Sequence, residues 1–134
     1  MAVDLSAASL EDFGVVCDGK LRLQVEYVSG IQITYAHILA HPDPYILEDL
    51  QLGPFPDPDK VSLALLNCMP VELVPIVVKL ALDAAPVEMG IVDRFMGTVM
   101  FTGTYAQCKV ALASALQWLK THIADISVPE ITSS

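Results

Sequence analysis

Charge is scarce in this chain. Asp, Glu, Lys and Arg make up 17% of its 134 residues, against about 25% in ordinary soluble domains. Basic residues are the scarcer kind, seven against sixteen acidic ones, for a formal net charge of −9. They do not cluster, so neither nucleic acid nor an anionic membrane surface would be attracted. Cysteine is sparse as well. Cys17, Cys68 and Cys108 are odd in number, far apart and set among apolar neighbours. That pattern fits small buried hydrophobes in a reducing compartment better than a disulfide framework or a metal site. Long uninterrupted apolar runs are missing: the most apolar stretch, 71–92, contains Glu72, Lys79, Asp83 and Glu88, whereas a spanning helix needs about 20 apolar residues. No positive leader precedes an apolar stretch either, because Asp4, Glu11 and Asp12 come before the first basic residue, Lys20. Cytoplasmic residence is the expectation.

Apolar residues, by contrast, are plentiful, at 54% of the chain. The length suits one domain with a single core. A small sphere has too much surface to hide that much apolar area by itself. With the membrane excluded, self-association is the expected cover.

Met1 to Gly19, rich in Ala, Ser and Asp, reads as an arm, with Ser9-Leu10-Glu11-Asp12 as a possible helix start. Beyond Lys20, Leu21, Leu23, Val25 and Tyr27 alternate with polar residues, and Ile31, Ile33 and Tyr35 do so again after Ser29-Gly30. This period of two predicts a hairpin over about 21–39. His41-Pro42-Asp43-Pro44 stops the second strand, Tyr45 to Leu52 allows two helical turns, and the Pro-rich stretch 53–59 is a stiff connector. A β-α-β-β-α unit follows: strand 61–68, helix 72–85, strand 87–95, turn Met96-Gly97, strand 98–104 and helix 105–124. In the first helix Glu72, Lys79 and Asp83 form one narrow polar stripe. In the second, Gln107, Ser114, Gln117 and Thr121 do the same. Helices this apolar need cover on more than one side, from the sheet and from a neighbouring subunit.

Chemistry-bearing constellations are few. His37 and His41 have a helical ligand spacing, but in a strand four residues span about 13 Å, too far for one metal ion. Asp57 and Asp59 read as a solvated loop rather than an acid/base pair. Phosphate-cradling and nucleophile-elbow patterns are missing. Asp93-Arg94-Phe95, beside a glycine turn, is the densest polar feature, and by itself reads as a structural ion pair with a packing aromatic.

Three segments carry a resemblance: Arg22-Leu-Gln-Val-Glu-Tyr-Val-Ser-Gly30, Gln32-Ile-Thr-Tyr-Ala-His-Ile-Leu-Ala-His-Pro42 and Gly90-Ile-Val-Asp-Arg-Phe-Met-Gly97. With the order of predicted elements, they make the chain similar, from about residue 22 onward, to circularly permuted bacterial microcompartment (BMC) shell proteins of ethanolamine- and propanediol-utilization compartments. The resemblance implies an α/β (α+β) fold with a mixed or antiparallel sheet and two main helices. Residues 1–21 would be an N-terminal arm and residues 22–134 a single permuted domain. It implies hexameric rings that tile with other shell proteins around enclosed enzymes, and no catalysis or cofactor. Arg22, Leu23, Gln24, Val25, Glu26, Tyr27 and Val28 would be a strand of a small β-barrel over the ring centre, and 32–40 the relocated sheet strand. The resemblance also separates the hairpin strands, which would then have different partners. Asp93, Arg94, Phe95, Met96 and Gly97 would lie near the pore.

Two departures stand out. The family's first long helix carries D-x-x-x-K, whose Lys meets the neighbouring ring; counted back without gaps from Gly90, those positions hold Lys79 and Asp83, the reverse order. The arm is also long. The other readings are an oligomeric α/β module binding a small regulatory ligand and, through Asp57, Asp59 or Asp93, an enzyme.

Overall fold

The computed structural model describes residues 15–17, 20–22 and 30–134. A two-stranded antiparallel ribbon, β1 (Val15–Cys17) with β2 (Lys20–Arg22), precedes the main body. That body is one mixed sheet with its two long helices on one face and a short helix on the other. Its elements are β3 (Ile31–Leu39), α1 (Pro44–Asp49), β4 (Ser62–Met69), α2 (Val74–Ala84), β5 (Glu88–Val92), β6 (Thr98–Gly103), α3 (Tyr105–His122), β7 (Ile126–Ser127) and β8 (Thr132–Ser133). The strands run in the order β5-β6-β4-β3-β7, with β8 also on β3.

Among the described residues, two separate pairings stand where a hairpin was expected. β3 lies antiparallel to β4 on one edge and parallel to β7 and β8 on the other, while the start of the first predicted strand pairs with Val15–Cys17. Residues 23–29 lie outside the described residues. Alternation alone could not identify the partners, because every strand here offers the same period. It also breaks inside β3: a bulge between Ile33 and Tyr35 carries Tyr35 out of phase, so Ile31, Ile33, Ala36 and Ile38 are buried while Tyr35 is exposed.

The sheet's inner face meets α2 and α3. Ile33, Ile38, Ala64, Leu66, Val99 and Phe101 pack with Val77, Ala81, Leu112 and Leu119 in the main core. Leu63, one residue out of phase, points the other way and packs with Leu47 and Val61 under α1 and the connector. Helix starts follow local chemistry. Asp43 accepts a hydrogen bond from the Tyr45 amide at α1, and Thr104 and Gln107 form a reciprocal capping box at α3. Pro75 sits in the first turn of α2, entered through a 3₁₀ turn at Val71–Leu73, where its missing N–H costs nothing.

Strand β5 ends at Val92, short of the expected residue 95, because the Asp93 side chain turns the chain. β7 and β8 lie beyond the last element expected from the sequence. No helix among the described residues is long and apolar enough to cross a membrane.

Candidate functional site

The Asp93–Gly97 turn is built from its backbone outward. The Asp93 carboxylate accepts from the Phe95 and Met96 amides at 2.9 and 3.1 Å. Its amide donates to the Thr98 carbonyl, and its carbonyl accepts from the Gly97 amide. The Gly97 carbonyl accepts from the Cys68 amide at 2.8 Å. Gly97 has φ +84°, and an added Cβ there would lie 2.3 Å from the Cys68 carbonyl oxygen. Only glycine fits.

Asn67 fastens this turn to the sheet. Its Nδ2 donates to the Met96 carbonyl at 3.0 Å and to Thr98 Oγ1 at 3.2 Å, while its Oδ1 accepts from the Thr34 hydroxyl at 3.1 Å. Asn67 was not among the sequence candidates; a lone Asn in a strand carries no spacing signal. With the polar backbone tied inward, the side chains face out. Phe95 is 77% exposed and Met96 72%, with Tyr35, Met69 and Val92 also exposed at this end of the sheet. The Arg94 guanidinium lies over the Phe95 ring, 5.0 Å from its centroid. The expected Asp93–Arg94 ion pair with a packed aromatic is therefore corrected: Asp93 serves the backbone, Arg94 the ring, and Phe95 packs into no core.

Lys79 and Asp83 pair with each other one turn apart on α2, Nζ to Oδ1 at 2.9 Å, on a half-exposed face. Arg22 lies in β2; Leu23, Gln24, Val25, Glu26, Tyr27 and Val28 lie outside the described residues.

The remaining candidates are dispersed. His37 hydrogen-bonds through both ring nitrogens to Thr132 and Ser134, and His41 is exposed at φ +118°. Asp57 pairs with Lys60 at 3.5 Å on an exposed loop. Among the described residues no group of three His, Cys, Asp or Glu is placed to hold a metal. Burial pushes the Cys68 thiol up to about 12 and the Cys108 thiol to about 11, since an apolar surround disfavours the thiolate. A groove of about 480 Å³ lies between α1 and the connector, over Leu47, Leu52, Pro54 and Phe55. Its polar side chains, Glu48 and Gln51, are exposed instead of converging on a buried centre.

Apolar residues remain uncovered on the helices too: Leu82 on α2 is 47% exposed and Val110 on α3 49%. The described residues thus offer surfaces and a rigid exposed turn, and among them no constellation of reactive groups.

No family model matches the sequence. Individual proteins do. The shell protein EutS of Salmonella typhimurium is 30% identical over 115 residues, 86% of this chain and 98% of that protein. Among solved structures, the CutR flat hexamer superposes with a TM-score of 0.72 at 29% identity, covering 84% of this chain and 99% of that one. A CutR screw form of 41.9 Å pitch gives 0.69 at 31%, covering 78% and 99%. The fused permuted hexameric shell protein of the RMM microcompartment shares the fold alone, with a TM-score of 0.57 at 21% identity over 68% of this chain and 47% of that one. Similarity of this extent in both sequence and fold places the chain among the bacterial microcompartment shell proteins, to which it belongs.

Proposed function

We propose that this chain is a structural, non-catalytic component of a bacterial microcompartment shell and that six copies of it close into a ring. The observation that carries this reading is the end-to-end match to proteins of that kind, 98% of EutS and 99% of the CutR flat hexamer. The exposed Leu82 and Val110 supply apolar area for neighbouring copies to cover. Native mass spectrometry tests the ring: six copies are expected, and a dimer or trimer retaining a small ligand would favour a regulatory binding module instead.

Within the ring, the Asp93–Gly97 turn is proposed to face the vicinity of the central opening. Its internally satisfied backbone supports this, because six copies can then present Arg94, Phe95 and Met96 in one fixed geometry. Residues 22–28 are proposed to contribute a strand to a barrel that narrows or plugs the opening. Deleting residues 2–19 should leave the six-copy mass unchanged if the arm serves the opening or the cargo rather than ring closure. Other shell proteins are the proposed neighbours in the wall, and enclosed enzymes the partners on its inner face.

The edge of the ring is where this chain is proposed to differ from its family. A Lys whose stem lies along a neighbouring ring can donate to its carbonyls; an acid offers no donor and a shorter reach. With Asp83 at that position and Lys79 held one turn back, rings should tile poorly alone. Electron microscopy of the purified protein should show separate rings or small patches; extensive sheets would overturn this.

A further inference from the structure

β3 is a hazardous strand. From Ile31 to Leu39 it reads Ile-Gln-Ile-Thr-Tyr-Ala-His-Ile-Leu, nine residues without Asp, Glu, Lys, Arg, Pro or Gly. Uncharged, β-branched segments of this kind pair with identical copies of themselves when an edge is open. One edge of β3 is filled by β4. On the other, β7 pairs only with Ile31 and Gln32, and β8 only with His37 and Ile38. Between them residues 33–36 have no ladder partner on that side among the described residues.

The residues that close this edge are bound by far more than a two-residue ladder. The Ser134 amide donates to the Ile38 carbonyl at 3.0 Å, and the Ala40 amide donates to the Ser134 carbonyl at 2.8 Å. The Thr132 hydroxyl donates to the Ala36 carbonyl at 3.3 Å. His37 reaches two of the same residues through its ring, Nδ1 to Thr132 Oγ1 at 2.6 Å and Nε2 to Ser134 Oγ at 2.8 Å. In a neutral imidazole one ring nitrogen donates and the other accepts, and a hydroxyl can answer either, so both contacts can be satisfied at once. One imidazole therefore fastens two hydroxyls, 95 and 97 residues away in sequence.

We infer that Thr132–Ser134 is an edge cap: it occupies the backbone positions along which a second copy of this chain would otherwise add its own β3, and His37 is the positioning residue that holds it. The partner is identified by the strand itself, since an uncharged β segment finds its best match in an identical one. The cap leaves assembly to other surfaces and blocks open-ended growth through the sheet.

The test is a full chain lacking residues 132–134, with His37→Leu as a second variant that keeps the chain length. In the shortened chain the Ala40 amide should exchange with solvent about tenfold faster or more. Raising its concentration should produce species heavier than any the intact chain forms, with 33–38 protected again. A synthetic peptide of residues 126–134 should suppress those species. A folded shortened chain whose mass distribution matches the intact protein at every concentration overturns the cap. So does one that loses the intact protein's assembly without forming heavier species, because the segment would then belong to the normal contact. Should the shortened chain not fold, His37→Leu decides: faster exchange at Ala40 with unchanged exchange at the Cys68 amide is expected, and unchanged exchange at both overturns the role of His37.

Discussion

Ser62 is fully buried in β4, and its hydroxyl has no hydrogen-bond partner. A buried unsatisfied hydroxyl costs about 1–3 kcal/mol, so Ser62→Ala should raise stability by about 1 kcal/mol in urea denaturation. Gly97→Ala should lower it by more than about 2 kcal/mol, because φ +84° and the Cys68 carbonyl both exclude a side chain. Gly30→Ala, where an added Cβ meets no atom of the described residues within 4 Å, is the control and should stay within about 0.5 kcal/mol. The two buried thiols make alkaline pH destabilising. In the unfolded chain they lose their protons near pH 9, while the folded chain keeps them until about pH 11 for Cys108 and about 12 for Cys68. The unfolded state then binds fewer protons, so their stabilisation is whole below pH 9 and falls above it, by up to about 1.4 kcal/mol per pH unit for each thiol. Denaturation midpoints from pH 8 to 10.5 should fall less steeply in the double variant Cys68→Ala, Cys108→Ala than in the parent.

The Asp93–Gly97 turn shows how far elements were legible in the sequence. Its position was plain from the glycine between two alternating runs. Its side-chain assignments were not, because neighbouring Asp and Arg invite pairing while the turn's amides, invisible in a sequence, claim the carboxylate. Strands 61–68 and 98–104 and the helix from 105 were read to within a residue or two, since each has one dominant period and a clear stop. β7 and β8 are two residues each, too short for any period to register, and the partners of β3 depended on contacts nearly a hundred residues away. The turn's exposed side chains contribute little to the monomer. Phe95→Ser with Met96→Ser should therefore leave the monomer's denaturation curve within about 0.5 kcal/mol, and any change should show in the mass or permeability of the assembly.

For the whole molecule, closure is a matter of small angles. A heterologous contact repeated around an axis gives a ring if the rotation closes and a helical filament if it is slightly pitched. Both outcomes are represented among the similar structures, a flat hexamer and a screw. Exchanging the pair proposed for the ring edge, through Lys79→Asp with Asp83→Lys, keeps the charge and, worth only about 0.2–0.5 kcal/mol on a helix in either order, should leave the fold intact while enlarging the sheets seen by electron microscopy. Timing sets a further condition on assembly. His37 and Thr132 are 95 residues apart, and a ribosome adding about 5–20 residues per second needs about 5–20 s to cover that distance. On a polysome, nascent copies with an open β3 edge would be neighbours throughout that interval, so slow translation over 40–131 is the period in which this shell protein is most exposed to misassembly.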